Sequence, residues 1–175
     1  GDVYKRQDFR TFALPYLRNI AVDVKDNLAL KSVEPPPMIV YARGAVNHSL
    51  VEISRLGYDV VGIDHTVEPA WARQCLAQAQ SSNRKFSEVE VNKGAQHRIA
   101  IQGNLDPAIL YARPEVIQDR VRRMFQTTTG GFGGQGALIC NLGQGITPGV
   151  DPDHLRVFLE AVHRVSKEMA DNNDD

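Results

Sequence analysis

Apolar residues recur at spacings of three and four from Asp8 to about Leu30, at Phe9, Phe12, Ala13, Tyr16, Leu17, Ile20, Val24 and Leu28, which predicts one amphipathic packing helix. Pro35-Pro36-Pro37 ends it, because proline lacks the amide hydrogen that a continuing helix needs. The period then shortens. Met38 to Ala42 is an apolar run of strand length closed by Arg43-Gly44. Leu50, Ile53 and Leu56 form the next helical face with Gly57 as its cap, and Val60 to Asp64 is a second strand. Glu68-Pro69 opens a helix to about Gln80, with proline suited to its first turn. Ile99 to Gln102 is a third strand, Pro114 to Thr127 a third crossover helix and Ala137 to Leu142 a fourth strand. Asp151-Pro152-Asp153 sets an acidic N-cap and a first-turn proline before the last helix, whose buried stripe is Leu155, Phe158, Leu159, Val162, Val165 and Met169.

The count is four strand-then-helix units after one leading helix. Right-handed crossovers of this kind give an α/β fold on a parallel sheet. Two stretches interrupt the alternation. Gln78 to Arg98 is rich in Gln, Ser, Asn and Lys and reads as a surface insertion. Thr129-Gly130-Gly131-Phe132-Gly133-Gly134-Gln135-Gly136 invites a phosphate-loop reading, but such a cradle lies between a strand and a following helix, usually with a lysine at its end. Here the order is helix, glycines, strand, so a connector is expected.

Composition narrows the ligand more than the fold. The 175 residues are 42% hydrophobic with a formal net charge of -1, which suits one soluble globular unit and offers nucleic acid or acidic membranes no excess of positive charge. No apolar run approaches the roughly 20 residues that span a bilayer, and the first residues given lack the apolar core of a secretory signal. A cytoplasmic protein is expected, or a plastid one in a photosynthetic eukaryote. Small molecules are the expected ligands. Cys75 and Cys140 stand far apart, outside any C-x-x-C spacing, and are expected to be buried as small hydrophobes.

In barrels built from such units the reactive groups stand at the C-terminal strand ends. Those ends carry Tyr41 and Arg43, Asp64 and His65, Asn104 and Asp106, then Asn141 and Gln144. Arg43 is a candidate for bidentate pairing with a ligand carboxylate, and Tyr41 for a hydroxyl contact. Asp64 has the chemistry for acid or base work, whereas Asp106, before Pro107, reads as a turn or cap. His65 is the one histidine at a strand end, and a satisfied polar contact is expected of it. The segment Asn141-Leu142-Gly143-Gln144-Gly145-Ile146-Thr147-Pro148 reads as the mouth of a site. Its glycines let a ligand approach the main chain, and Gln144 offers an amide donor and acceptor.

That segment, with Gly57-Tyr58-Asp59-Val60-Val61-Gly62-Ile63-Asp64 and Ile101-Gln102-Gly103-Asn104-Leu105-Asp106-Pro107 followed by Leu110-Tyr111, resembles the uroporphyrinogen decarboxylase family. Phe12-Ala13-Leu14-Pro15-Tyr16-Leu17 and Pro37-Met38-Ile39-Val40-Tyr41-Ala42 extend the likeness over nearly the whole chain. The resemblance implies the C-terminal half of a (β/α)8 barrel, since a whole barrel takes about 250 residues. It implies removal of the four acetate carboxyl groups of uroporphyrinogen, giving coproporphyrinogen in porphyrin biosynthesis, without metal or other cofactor, by a homodimer. Its aspartate for the pyrrole N–H groups and its substrate-binding arginines belong to the other half, so no catalytic residue is expected here. The recognised contact on this half is the histidine of an Asn-Leu-Gly-His-Gly turn, and Gln144 stands at that position. Glutamine stays neutral where histidine can carry a proton, so weakened substrate binding is expected. Alone, this portion is expected to be inactive.

Residues Gly1 to Gln7 fall outside the family's pattern and read as a non-native leader before a domain at 8–170, with 171–175 as a solvated tail. Two other readings compete. A degenerate paralogue would bind a tetrapyrrole without turnover. Corrinoid-linked methyltransferases share the barrel and bind zinc through a His-x-Cys pair and a further cysteine, but Arg43 to Asn47 contains no cysteine and the turn carries Gln144.

Overall fold

The structure, a computed structural model, describes residues 2–83, 99–126 and 138–171. Four parallel strands, β1 (Ile39–Tyr41), β2 (Val60–Gly62), β3 (Ala100–Leu105) and β4 (Leu138–Leu142), form one sheet in sequence order. Each strand thus neighbours the next in the chain, as one-way right-handed crossovers require. Helices α1 (Asp2–Phe12) and α2 (Leu14–Leu30) precede β1, and α3 (Val46–Ile53), α4 (Pro69–Asn83), α5 (Pro114–Phe125) and α6 (Pro152–Asp171) follow the four strands in turn. A 3-10 helix, Pro107–Tyr111, lies between β3 and α5.

Register divides the sheet into two faces with opposite fates. Val40, Val61, Ile101 and Leu138 stand side by side, and the first three are buried under the helical layer with Val46, Leu50, Ile53, Ile117 and Val121. Fully burying one such side chain contributes about 1.5–3 kcal/mol, so this face carries the stability. The next row, Tyr41, Gly62, Gln102 and Ile139, faces the other way, and there Ile39, Tyr41 and Ile139 remain 46%, 45% and 40% exposed. The sheet is curved toward this open face. In a flat sheet three interstrand steps put β1 roughly 14 Å from β4, beyond the reach of a tyrosine. Nevertheless the Tyr41 hydroxyl donates a 2.8 Å hydrogen bond to the Gly143 carbonyl just past β4.

Several elements depart from expectation for local reasons. The leading helix is two helices, because Pro15 in the first turn of α2 supplies no N–H and its ring excludes a helical carbonyl one turn back. Phe12, Tyr16 and Ile20, expected to be buried, are exposed, while Ala21 and the partly buried Leu14 and Leu17 make the contact. The Tyr58 hydroxyl, at the N-terminal end of β2, donates to the Leu17 carbonyl at 2.9 Å, and Lys25 pairs with Asp59 at 3.6 Å, so α2 lies at the end of the sheet away from Gly143. Helix α1 starts at Asp2, within the stretch read as a leader, and Arg6 and Arg10 both bond Glu52 of α3. Helix α3 ends at Ile53, four residues before the turn at Gly57, whose φ is +95°.

Strand β3 runs to Leu105 rather than Gln102, since Gly103, Asn104 and Leu105 pair in register with Cys140, Asn141 and Leu142. Gln78 to Asn83, assigned to an insertion, continue α4; the rest of that segment and the glycine-rich connector lie outside the described residues, as do 172–175. In α6 Asp151 accepts from the Asp153 amide at 2.9 Å, and Phe158, Ala161 and Val165 are buried, but Leu159 is exposed. The cysteines are partly rather than fully buried, both packed against the core.

Candidate functional site

The C-terminal ends of all four strands meet at Gly143. Its amide donates to the Leu105 carbonyl at 2.7 Å, its carbonyl accepts from Tyr41, and its Cα faces the backbone of His65 so closely that a Cβ would stand 2.3 Å from the His65 nitrogen. The Tyr41 ring reaches across β2 because Gly62 leaves room for it; a Cβ there would meet the ring at 2.9 Å. Burial first and the charge of Asp64 second hold the Tyr41 phenol above its ordinary pKa, against the opposing effect of Arg43, so it remains a donor. The Tyr41→Phe variant keeps the ring on Gly62 and loses the hydrogen bond. It is expected to lose about 1 kcal/mol, read as a lower urea midpoint at unchanged slope.

The turn is anchored again at its far end. The Tyr111 hydroxyl lies 2.9 Å from both Thr147 Oγ1 and the Pro148 carbonyl, and His154 Nδ1 lies 2.7 Å from the Leu110 carbonyl, tying α6 to the 3-10 helix. Gln144 to Ile146 are therefore held between two fixed points. Sequence reasoning missed this role for Tyr111. Its only signal was its place four residues after Pro107 within the motif.

Asp64 is buried, and both carboxylate oxygens have backbone work. Oδ2 accepts from the Gly44 amide at 3.0 Å; Oδ1 accepts from the Thr66 amide at 2.9 Å and from the Thr66 hydroxyl. Burial alone raises its pKa, but those hydrogen bonds, with His65 adding a smaller favourable charge, outweigh it and hold the carboxyl below the usual value. It fastens the β1–α3 loop to the end of β2 rather than presenting a free acid or base. Asn104, also buried, donates from Nδ2 to the carbonyls of Asp64 at 3.0 Å and Val67 at 2.7 Å. Asp106 caps the 3-10 helix by accepting from the Ala108 amide at 2.9 Å, as its sequence context predicts.

The polar groups left over are few. Arg43 is exposed beyond β1 and makes no ion pair among the described residues. His65 departs from expectation: Nδ1 is buried and has no hydrogen-bond partner among the described residues. Gln144, half-buried, has its Oε1 in the same condition. Burial pushes the Cys140 thiol up to about 12, so it stays protonated at neutral pH. Among the described residues no group of three or more His, Cys, Asp or Glu side chains is placed to hold a metal ion, and no helix is long and apolar enough to cross a membrane.

Comparison with known proteins bears on the fold and the family. The chain is similar to a methyltransferase structure from Methanosarcina mazei, with a TM-score of 0.58 and 15% identity, covering 91% of this chain and 37% of that one. At that identity the likeness concerns the fold, a TIM-barrel type of which these four strand–helix units are half the usual eight. Uroporphyrinogen decarboxylase of Schizosaccharomyces pombe is 40% identical over 158 residues, 90% of this chain and 38% of that protein. The human enzyme is 36% identical over 166 residues and that of Salinibacter ruber 37% over 164, each matched over 38% of its length. The chain thus spans about 38% of the length of the curated relatives it matches. The family model described as Uroporphyrinogen decarboxylase (URO-D) matches residues 1–165, taking in the seven residues read as a leader. The chain belongs to the uroporphyrinogen decarboxylase family.

Proposed function

We propose that this chain is the C-terminal portion of a uroporphyrinogen decarboxylase, supplying one wall of the substrate cleft while the acidic and basic groups that carry the chemistry stand on the remainder of the protein. The observation that carries the reading is the convergence of four strand ends on Gly143, which presents Gln144 at the mouth, in a chain matched by the family over residues 1–165. Gln144 hydrogen-bonds one carboxylate substituent of uroporphyrinogen as a neutral partner, and the exposed Arg43 meets another as a cation. Tyr41 serves the substrate by holding the turn and by lining the open sheet face. Asp64 keeps the β1–α3 loop that bears Arg43 in place. The open face receives the other half of the barrel, and the whole protein works as a homodimer without metal or other cofactor.

The test is to read the genomic locus upstream of this segment, express the protein encoded by the complete reading frame, and assay it anaerobically with uroporphyrinogen I by chromatography of the oxidised products. Stepwise loss of four carboxyl groups is expected. In that protein Gln144→Ala is expected to raise KM about tenfold with kcat little changed, since one neutral hydrogen bond to the ground state and transition state alike is removed. A KM and kcat both equal to wild type remove Gln144 from the substrate contact. A neutral glutamine at this turn also suits a paralogue that holds a tetrapyrrole without decarboxylating it. Tight binding of uroporphyrinogen with no product selects that reading instead.

A further inference from the structure

His65 emerges from the end of β2 directly against the turn that carries Gln144, because the bare Cα of Gly143 lets the two backbones approach to a distance no side chain permits. The natural partner for its imidazole is the adjacent Asp64, yet both oxygens of that carboxylate are engaged by Gly44 and Thr66. The ring nitrogen Nδ1 is buried and unpaired among the described residues, and so is Gln144 Oε1 on the facing segment. A buried polar atom left unpaired costs about 1–3 kcal/mol, a cost that a hydrogen-bonding ligand removes. The segments that carry them meet at the strand ends, where barrels bind their ligands.

We propose that His65 is a specificity-determining residue of this site, its Nδ1 hydrogen-bonding an acidic substituent of the bound substrate next to the group held by Gln144. Protonated at Nδ1, the imidazole donates to a carboxylate oxygen. Gln144 Oε1, an acceptor, takes a donor such as a pyrrole N–H, or, with its amide turned about, yields the donor that a second carboxylate needs. A polypyrrole bearing several acids presents both kinds of group in one molecule, which is the substrate class of the proposed function on which this inference rests. The rigid backing of Asp64 and Gly143 fixes where the acid must reach, so the subsite selects for the length of the acidic side chain as well as its charge.

The test uses the protein encoded by the complete reading frame, assayed with uroporphyrinogen I. His65→Phe preserves the ring and removes the nitrogen, whereas His65→Asn places an amide nitrogen where Nδ1 stands. KM is expected to rise about tenfold in His65→Phe with kcat within about threefold, and to return to within about threefold of wild type in His65→Asn. A purely structural role predicts lowered stability in both variants and no rescue of KM. Should His65→Phe fail to fold, nitrogen NMR of the histidine-labelled wild type decides: the His65 Nδ1 resonance shifts on adding coproporphyrinogen, and an unmoved resonance overturns the proposal. A wild-type protein that turns over uroporphyrinogen alongside an unchanged His65→Phe KM overturns the role of His65 alone. A wild type with neither turnover nor tetrapyrrole binding removes the proposed function and this inference together.

Discussion

Gly143→Ala is expected to destabilise the protein by about 3 kcal/mol, near the upper end for inserting atoms into a packed site. The new Cβ would lie 2.3 Å from the His65 nitrogen and 2.8 Å from its Cα. A flexible side chain can yield to such an intruder, but here the obstacle is main chain, and the residue being altered is itself bonded to Leu105 and Tyr41. Relief requires parting β4 from the end of β2, which breaks both hydrogen bonds and moves Gln144. For a chain of this size the loss corresponds to a fall in melting temperature of roughly 6–12 °C. The control lies two residues on. A Cβ at Gly145 would meet nothing within 4 Å, so Gly145→Ala is expected to stay within about 0.5 kcal/mol of wild type. Calorimetry on the two variants side by side checks the argument, and equal stabilities would show that the strand ends are not clamped together at Gly143.

Asp64→Ala is expected to cost a similar amount, about 3 kcal/mol, because it strips acceptors from the Gly44 and Thr66 amides at a buried position. Its signature is in the pH dependence. The folded-state pKa lies below the ordinary aspartate value of about 3.9, so the ionised form favours the folded chain. That contribution is complete above the unfolded value and is lost as the pH falls from there through the lower folded value. Urea titrations at stepped pH should therefore show wild type losing stability steeply in this acidic window and Asp64→Ala losing less. Parallel curves for the two proteins would mean that the Asp64 carboxylate is no better stabilised in the folded chain than in the unfolded one.

Much of the architecture is legible along the chain because local chemistry decides it. The prolines at 69, 114 and 152 open α4, α5 and α6, where a missing N–H costs nothing, and the apolar runs at Val40, Val61, Ile101 and Leu138 become the buried row of a parallel sheet. The segment Asn141 to Pro148 was legible as a glycine-rich turn after an apolar strand, and Gly143 does need its missing Cβ against the His65 backbone. Where the reading failed, a distant partner intervened. The third strand was expected to end at Gln102, yet it runs through Asn104, whose side-chain amide donates to the Asp64 and Val67 carbonyls some forty residues away. Leu159 belongs to the apolar stripe of α6 but is about half exposed, and Phe12, Tyr16 and Ile20 are exposed on α1 and α2.

The candidate site divides along the same line. Sequence by itself determined the family, through the likeness of its motifs, and, through residue type and spacing, the parallel α/β order of elements and the presence of Tyr41, Arg43 and Gln144 at strand ends. Only the tertiary structure decided what those residues do to one another. Sheet curvature brings Tyr41 to Gly143 across 102 positions of sequence, the backbone of Thr66 and Gly44 occupies Asp64, Gly143 meets the His65 backbone, and an imidazole nitrogen and an amide oxygen are buried without partners among the described residues. Hydrogen-bond satisfaction is a property of the space around an atom, and that space is assembled from segments whose proximity no local pattern encodes.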